Sequence, residues 1–218
     1  MTLTKKLILF LFSILYLAAL LQMIHLSLFY IHFDPYIAFL ETKQNVYDVL
    51  HWRVSFYAHV FSSVLLLISG IFQFMPFILK KYPKIHHISG YVYFSVLLVF
   101  SGPSAIVMAF YANGGLAAKT SFVVLSILWN IFSWTALILV LKKRYVQHGY
   151  FMLRSFALTL SALSLRLYAF ILTVFHVQAM PGEKYTMIAW LSWVPNLLVA
   201  EWLIQAGIIQ KWFYPKKT

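Results

Sequence analysis

Six long apolar stretches cross this chain, and the basic residues between them gather in every second gap. The stretches fall at about residues 7–31, 54–79, 88–111, 120–141, 150–176 and 185–210, each near the ~20 residues that a membrane-crossing helix needs. One set of gaps and ends carries Lys5, Lys6, Lys80, Lys81, Lys84, Lys142, Lys143, Arg144, Lys211, Lys216 and Lys217. The other carries Lys43, Arg53, Lys119 and Lys184, balanced by Asp34, Glu41, Asp48 and Glu183. Translocating Lys and Arg is disfavoured, so the richer set belongs in the cytoplasm. The expected architecture is all-α: a single polytopic domain over residues 1–218, six transmembrane helices and both termini inside, in the cytoplasmic membrane of a bacterium-like cell.

Charge and composition narrow the function. With 62% apolar residues and 10% charged ones the chain lies outside the soluble range. The net charge of +12 sits beside helix ends and forms no long basic face, which excludes nucleic acid as a partner. Without cysteine there is no disulfide, thiolate site or iron–sulfur cluster, and any metal must be held by His, carboxylate or carbonyl. No phosphate loop, catalytic Ser-His-Asp set, His-Glu-x-x-His or Gly-x-Ser-x-Gly elbow occurs. The first stretch follows Lys5 and Lys6 as a signal peptide would, but its length and the want of a clean cleavage site predict a retained helix. The connection at 32–53 is expected as a short amphipathic segment on the outer surface. Trp212 reads as an interfacial anchor at the end of a tryptophan-rich sixth helix that also holds Trp190, Trp193 and Trp202. Pro76, Pro103 and Pro195 predict kinks, the last two facing inward where freed carbonyls find partners.

A repeat runs through the middle of the chain. Lys80-Lys81 and Lys142-Lys143 are each followed, after four intervening residues, by a histidine, His86 and His148. This offset of 62 maps the second and third stretches onto the fourth and fifth, giving two related hairpins about an axis along the membrane normal. His86 and His148 then reach one depth from opposite sides, a geometry suited to axial ligation of one haem. His87 is the alternative inward residue to His86, and zinc held by His86, His87 and His148 is the competing metal reading.

A second polar group lies toward the other side. His25 and His59 both fall about 7–9 Å inside the outer boundary, with His176 as an alternative partner for His59. His32 and His51 read as surface residues. His59, Ser62, Ser63, Gly70 and Gln73 form one inward stripe, and Ser155, Thr159, Ala162, Arg166 and Thr173 another. Arg154, Arg166 and Glu201 are charges within membrane segments, each a functional candidate by default. Glu201 falls between the depths of the two arginines and can pair with either.

The residues also carry a resemblance. His59, Gly70-Ile71-Phe72-Gln73-Phe74, Pro83-Lys84-Ile85-His86-His87-Ile88-Ser89-Gly90-Tyr91-Val92-Tyr93, Trp129, His148-Gly149-Tyr150-Phe151-Met152-Leu153-Arg154-Ser155, Arg166, Trp193-Val194-Pro195-Asn196 and Glu201 together resemble the bacterial membrane proteins grouped as domain of unknown function 2306. The similarity covers about residues 55–205. That family often has His-Arg where this chain has His86-His87 and His148-Gly149. A fainter similarity extends to membrane cytochromes of the b561 and ferric-reductase type, which implies paired histidine ligands on a four-helix core.

The functional expectation is a cytochrome b-like electron-transfer protein or subunit. Haem b would be bound by His86 and His148, His59 and His25 would form an outer site, and Arg154 and Arg166 would balance propionate or quinone charge. Gln73, Asn196 and Glu201 are expected in the polar core. The alternatives are an integral subunit or assembly partner of a larger complex without chemistry of its own, and a small-molecule transporter using Arg166, Glu201 and Asn196 beside Pro195.

Overall fold

The computed structural model describes residues 3–178 and 180–213. Lys216 and Lys217 lie outside the described residues, as do the side chains of Lys5, Lys6 and Trp212. Among the described residues the chain is helical throughout, without a strand. Its helices are α1 (Leu3–Leu28), α2 (Leu50–Gln73), α3 (Pro76–Lys81), α4 (Pro83–Val96), α5 (Gly102–Phe110), α6 (Gly115–Leu141), α7 (Tyr145–Thr159), α8 (Ser161–Val174), α9 (Pro181–Leu191), α10 (Val194–Gln205) and α11 (Ile208–Phe213). Six segments are long and apolar enough to cross a membrane: Phe10–His32, Leu50–Gln73, Pro83–Phe110, Gly115–Leu141, Tyr145–Val174 and Gly182–Gln205. The end of the bundle near Leu3 and Phe213 is called the terminal side below, and the opposite end the far side.

Prolines do more than kink. Pro76 ends the second span outright: α2 stops at Gln73 and Pro76 opens a separate short helix, so the expected stretch to 79 is two elements. Before Pro103, which has no N–H to give, the helix widens into a π turn over Leu97–Ser101. Pro195 divides the sixth span into α9 and α10, and the Asn196 amide fills the gap by donating to Ser192 O at 3.0 Å. The third, fourth and fifth spans begin about five residues earlier than their apolar runs, because Pro83, Gly115 and Tyr145 already belong to the helices.

The offset of 62 reappears in the element bounds. Pro83 starts α4 and Tyr145 starts α7; the π turn at Leu97–Ser101 corresponds to the break at Leu160 between α7 and α8. Tyr93 and Ser155, also 62 apart, touch each other: the phenol lies 2.8 Å from Ser155 Oγ. When two equivalent residues of related hairpins meet, the axis relating them passes between them. Both side chains are fully buried.

Lipid as solvent inverts the usual partition of side chains. Large apolar residues such as Leu17, Phe100, Phe110 and Trp202 are exposed, whereas Ser69, Ser89, Ser101, Ser121, Ser126, Ser133 and Ser155 are buried where helices meet. Small hydroxyl residues let backbones approach and find acceptors within the bundle. At Gly70 the approach is close, since a Cβ there would lie 2.4 Å from the Phe156 ring.

The 32–53 segment departs from its expected form. In place of an amphipathic segment lying on the surface it forms tight 3-10 turns at Phe29–His32 and Ala38–Lys43 and folds in as a cap. Leu40 is fully buried with Tyr30, Trp52, Phe56 and Tyr57. Lys43, one turn beyond Leu40, is buried with it, and its ammonium donates to Tyr111 O and, at 2.6 Å, to Asn113 Oδ1. These acceptors on the turn after α5 explain how a lysine can be buried here.

Burial, and secondarily Lys119, lowers the Lys43 pKa from 10.5 to about 8. The native state therefore holds this proton less tightly than an unfolded chain, so the stability linked to Lys43 rises as pH climbs from about 8 to about 10.5. The neutral amine still donates to both acceptors. The thermal midpoint of wild type minus that of Lys43→Met, taken with its sign, is expected to increase between about pH 7 and about pH 9.5. A signed difference that falls over this range would contradict the assignment.

Candidate functional site

On the terminal side, His86 lies in the first turn of α4 and His148 in the first turn of α7. Of the adjacent pair, His87 is exposed and His86 half-buried, so His86 is the inward one. Its backbone is held by Gln73, whose amide donates to His86 O at 2.8 Å and to Ser89 Oγ at 2.6 Å. The His86 ring has a buried Nδ1 with no hydrogen-bond partner. His148, on another helix, acts on it electrostatically. The His148 Nδ1 meets Ala136 O at 2.9 Å; a carbonyl only accepts, so Nδ1 carries the proton and Nε2 keeps a free lone pair. The ring of Phe94 stands 6.2 Å from that of His148. Among the described residues no three His, Cys, Asp or Glu side chains gather around one point, which counts against the zinc reading.

The far half holds His59. Its Nδ1 bonds Ser101 O at 3.1 Å, inside the π turn, and its ring meets Trp129 edge-on at 6.3 Å. The widened turn thus finds a donor for one of its carbonyls in the facing helix. Here too Nε2 is left unprotonated in the neutral ring. The expected pairing with His25 is not formed. The bond from Tyr16 to Leu67 O sets the register of α1 against α2 and brings residue 25 level with residue 58, so the depth expected for His25 is met. Its side chain is exposed, however, and packs on Phe29. His176, the alternative, is exposed in the turn after α8. Arg166 is what His59 faces electrostatically.

Arg154 and Glu201 pair in a two-pronged salt bridge, Nε to Oε1 at 2.5 Å and Nη2 to Oε2 at 2.8 Å, tying α7 to α10. The Phe151 ring lies under the guanidinium, 4.8 Å from its carbon. Of the two arginines that Glu201 could pair with, it is therefore Arg154 that it engages. Arg166 stands 18 residues beyond His148, about 27 Å of helical rise, in the half of the bundle that holds His59. Asn196 is in the polar core as expected, donating to Ala157 O at 3.2 Å and bonded to Ser164.

What the residue pattern missed is the centre of the bundle. Trp129 Nε1 donates to Thr159 Oγ1 at 3.0 Å; Thr159 in turn donates to Ser155 O, so the Tyr93 hydroxyl must be the donor in its 2.8 Å bond to Thr159. Ser133 lies 2.7 Å from Ser155 and completes the group. The signal was present, since Tyr93 and Ser155 share the offset of the two histidines. Ser121 is the repeat equivalent of His59, and it is occupied: its hydroxyl donates to Ala189 O and accepts from Trp193 Nε1, both at 2.9 Å.

The sequence profile of one protein family, described as a predicted membrane protein (DUF2306), matches residues 56–204, more than half of the chain. No curated protein and no solved structure matches it.

The Arg154–Glu201 pair gives a direct test of the packing of α10. In a double-mutant cycle with Arg154→Gln and Glu201→Gln, the coupling energy read from unfolding in detergent should be about 1.5–3 kcal/mol. A coupling near zero would show that the pair does not hold α10 to α7.

Proposed function

This chain belongs to the DUF2306 family of predicted membrane proteins, and from that premise we propose that it is a multi-pass haem b protein that transfers electrons, in which His86 and His148 would hold the haem iron. The observation that carries the reading is the His86 ring: a buried imidazole nitrogen with no partner costs about 1–3 kcal/mol, a cost that a ligand removes. His148 supports it from the equivalent position of the other hairpin. Its Nδ1–H is fixed on the Ala136 carbonyl, the second-shell bond that orients a metal-ligating histidine and presents Nε2. Two neutral imidazoles on separate helices fit haem iron, which when bound would supply one-electron chemistry. Gln73 holds the His86 backbone in place, and the Phe94 ring packs beside that of His148. One haem is expected rather than two, because the repeat equivalent of His59 is Ser121.

The chain acts as one integral domain in the bacterial cytoplasmic membrane with both termini in the cytoplasm, supported by the eleven basic residues on one side against four on the other. Electrons then come from, or go to, a redox partner or a larger membrane complex. A transporter is disfavoured because Glu201 is engaged by Arg154.

A reduced-minus-oxidised spectrum of purified protein, with pyridine haemochrome quantitation, should show one b-type haem per chain, lost in both His86→Ala and His148→Ala. A colourless, monodisperse wild type from haem-replete cells would sink the reading and favour the integral-subunit alternative. Orientation is tested separately, helped by the absence of native cysteine. A membrane-impermeant maleimide on intact cells should label Glu41→Cys and leave Lys142→Cys unlabelled; the reverse pattern would invert the topology.

A further inference from the structure

Arg166 lies in α8, eight residues before its end at Val174, or about 12 Å along the axis. An arginine facing lipid at that depth extends toward the nearest surface. This one turns the other way: Nη1 donates at 2.9 Å to Ala162 O, one helical turn deeper. Of the five N–H donors on the guanidinium, that is the only hydrogen bond made to the described residues. The only ion pair among the described residues is Arg154–Glu201, so Arg166 has no carboxylate there to balance it.

Its electrostatic neighbours are His59 on α2 and Tyr30 at the end of the first span. His59 turns its Nδ1 to Ser101 O and so offers Nε2 as an acceptor. Donor and acceptor are thus electrostatic neighbours on facing helices, and both side chains are only half-buried. Access to the pair is uneven. The far end is closed by the cap, in which Tyr30 packs among Leu40, Trp52 and Phe56. The flank is open: α8 has no buried residue and packs chiefly on α9, leaving its remaining faces to the bilayer.

We propose that Arg166 and His59 form a binding site for the carboxyl head of a membrane-soluble acid, which enters sideways from the bilayer beside α8. A carboxylate matches the guanidinium fork and supplies the charge that the protein does not. Before it ionises, the same head donates its hydroxyl hydrogen to His59 Nε2 and accepts from Arg166. The alkyl body stays among the exposed apolar residues Leu167 and Phe170 of α8. This site is independent of the haem proposal, being in the other half of the bundle and sharing none of its residues.

The test uses the full-length protein in non-ionic detergent, with the thermal midpoint followed during titration at about pH 8. Dodecanoate should raise the midpoint saturably, whereas dodecanol, acetate and inorganic phosphate should not. In Arg166→Gln the apparent affinity for dodecanoate should fall by at least about tenfold, and Arg166→Lys should keep part of it. His59→Gln, which keeps an acceptor, should bind better than His59→Phe, and this pair decides the matter if Arg166→Gln does not fold. Equal dodecanoate responses in wild type and Arg166→Gln, or no response in wild type, would overturn the site. A response to acetate or phosphate as large as that to dodecanoate would overturn the lateral, lipid-borne source. Haem content, read on the same samples, reports on His86 and His148 alone.

Discussion

The hydroxyl of Tyr93 is the point on which the two hairpins close. It donates to Thr159 and meets Ser155, while Trp129 and Ser133 reach the same two residues from α6. Lipid tails are as apolar as leucine, so burial of apolar surface does little to drive these helices together in the bilayer. Association rests instead on close packing and on polar groups that have nowhere else to go. A buried network of this kind is high-stakes, stabilising when every member is satisfied and costly when one is missing. The protein has placed it on the axis relating its halves, where one set of bonds joins α4, α6 and α7.

The same constraint explains the breaks in the spans. Interruptions free carbonyls, and two are answered by a side chain from the same or a neighbouring helix: His59 at the π turn before Pro103, Asn196 at the break before Pro195. In both cases the answering residue is one that hydropathy marks as out of place in a membrane. Gln73 belongs with them, since it spans the gap between the end of α2 and the start of α4 and so sets the height of His86.

Charges within the membrane fall into two kinds. Arg154 and Glu201 satisfy one another and stack on Phe151, an arrangement that holds α10 against α7 and leaves little for a ligand. Arg166 is bonded only to its own helix and sits beside an imidazole. The histidines divide in a similar way. His59 and His148 both fix Nδ1 on a backbone carbonyl and present Nε2, whereas His25, His87 and His176 are exposed.

Much of this was legible in the residues alone. Six spans, the hairpin repeat and the inward stripes through His59 and Gln73 follow from periodicity and spacing, because the bilayer imposes length and hydropathy on each segment separately. The three-dimensional structure decided what depends on rotation about a helix axis and on partners distant in sequence. His25 has the right depth but the wrong azimuth. Glu201 chose Arg154 over Arg166, and Lys43, which composition assigns to the surface, is buried because Tyr111 and Asn113 receive its protons. Depth is a sum of 1.5 Å steps and can be counted from a sequence; direction is set by which neighbour packs there, and only the assembled bundle determines that.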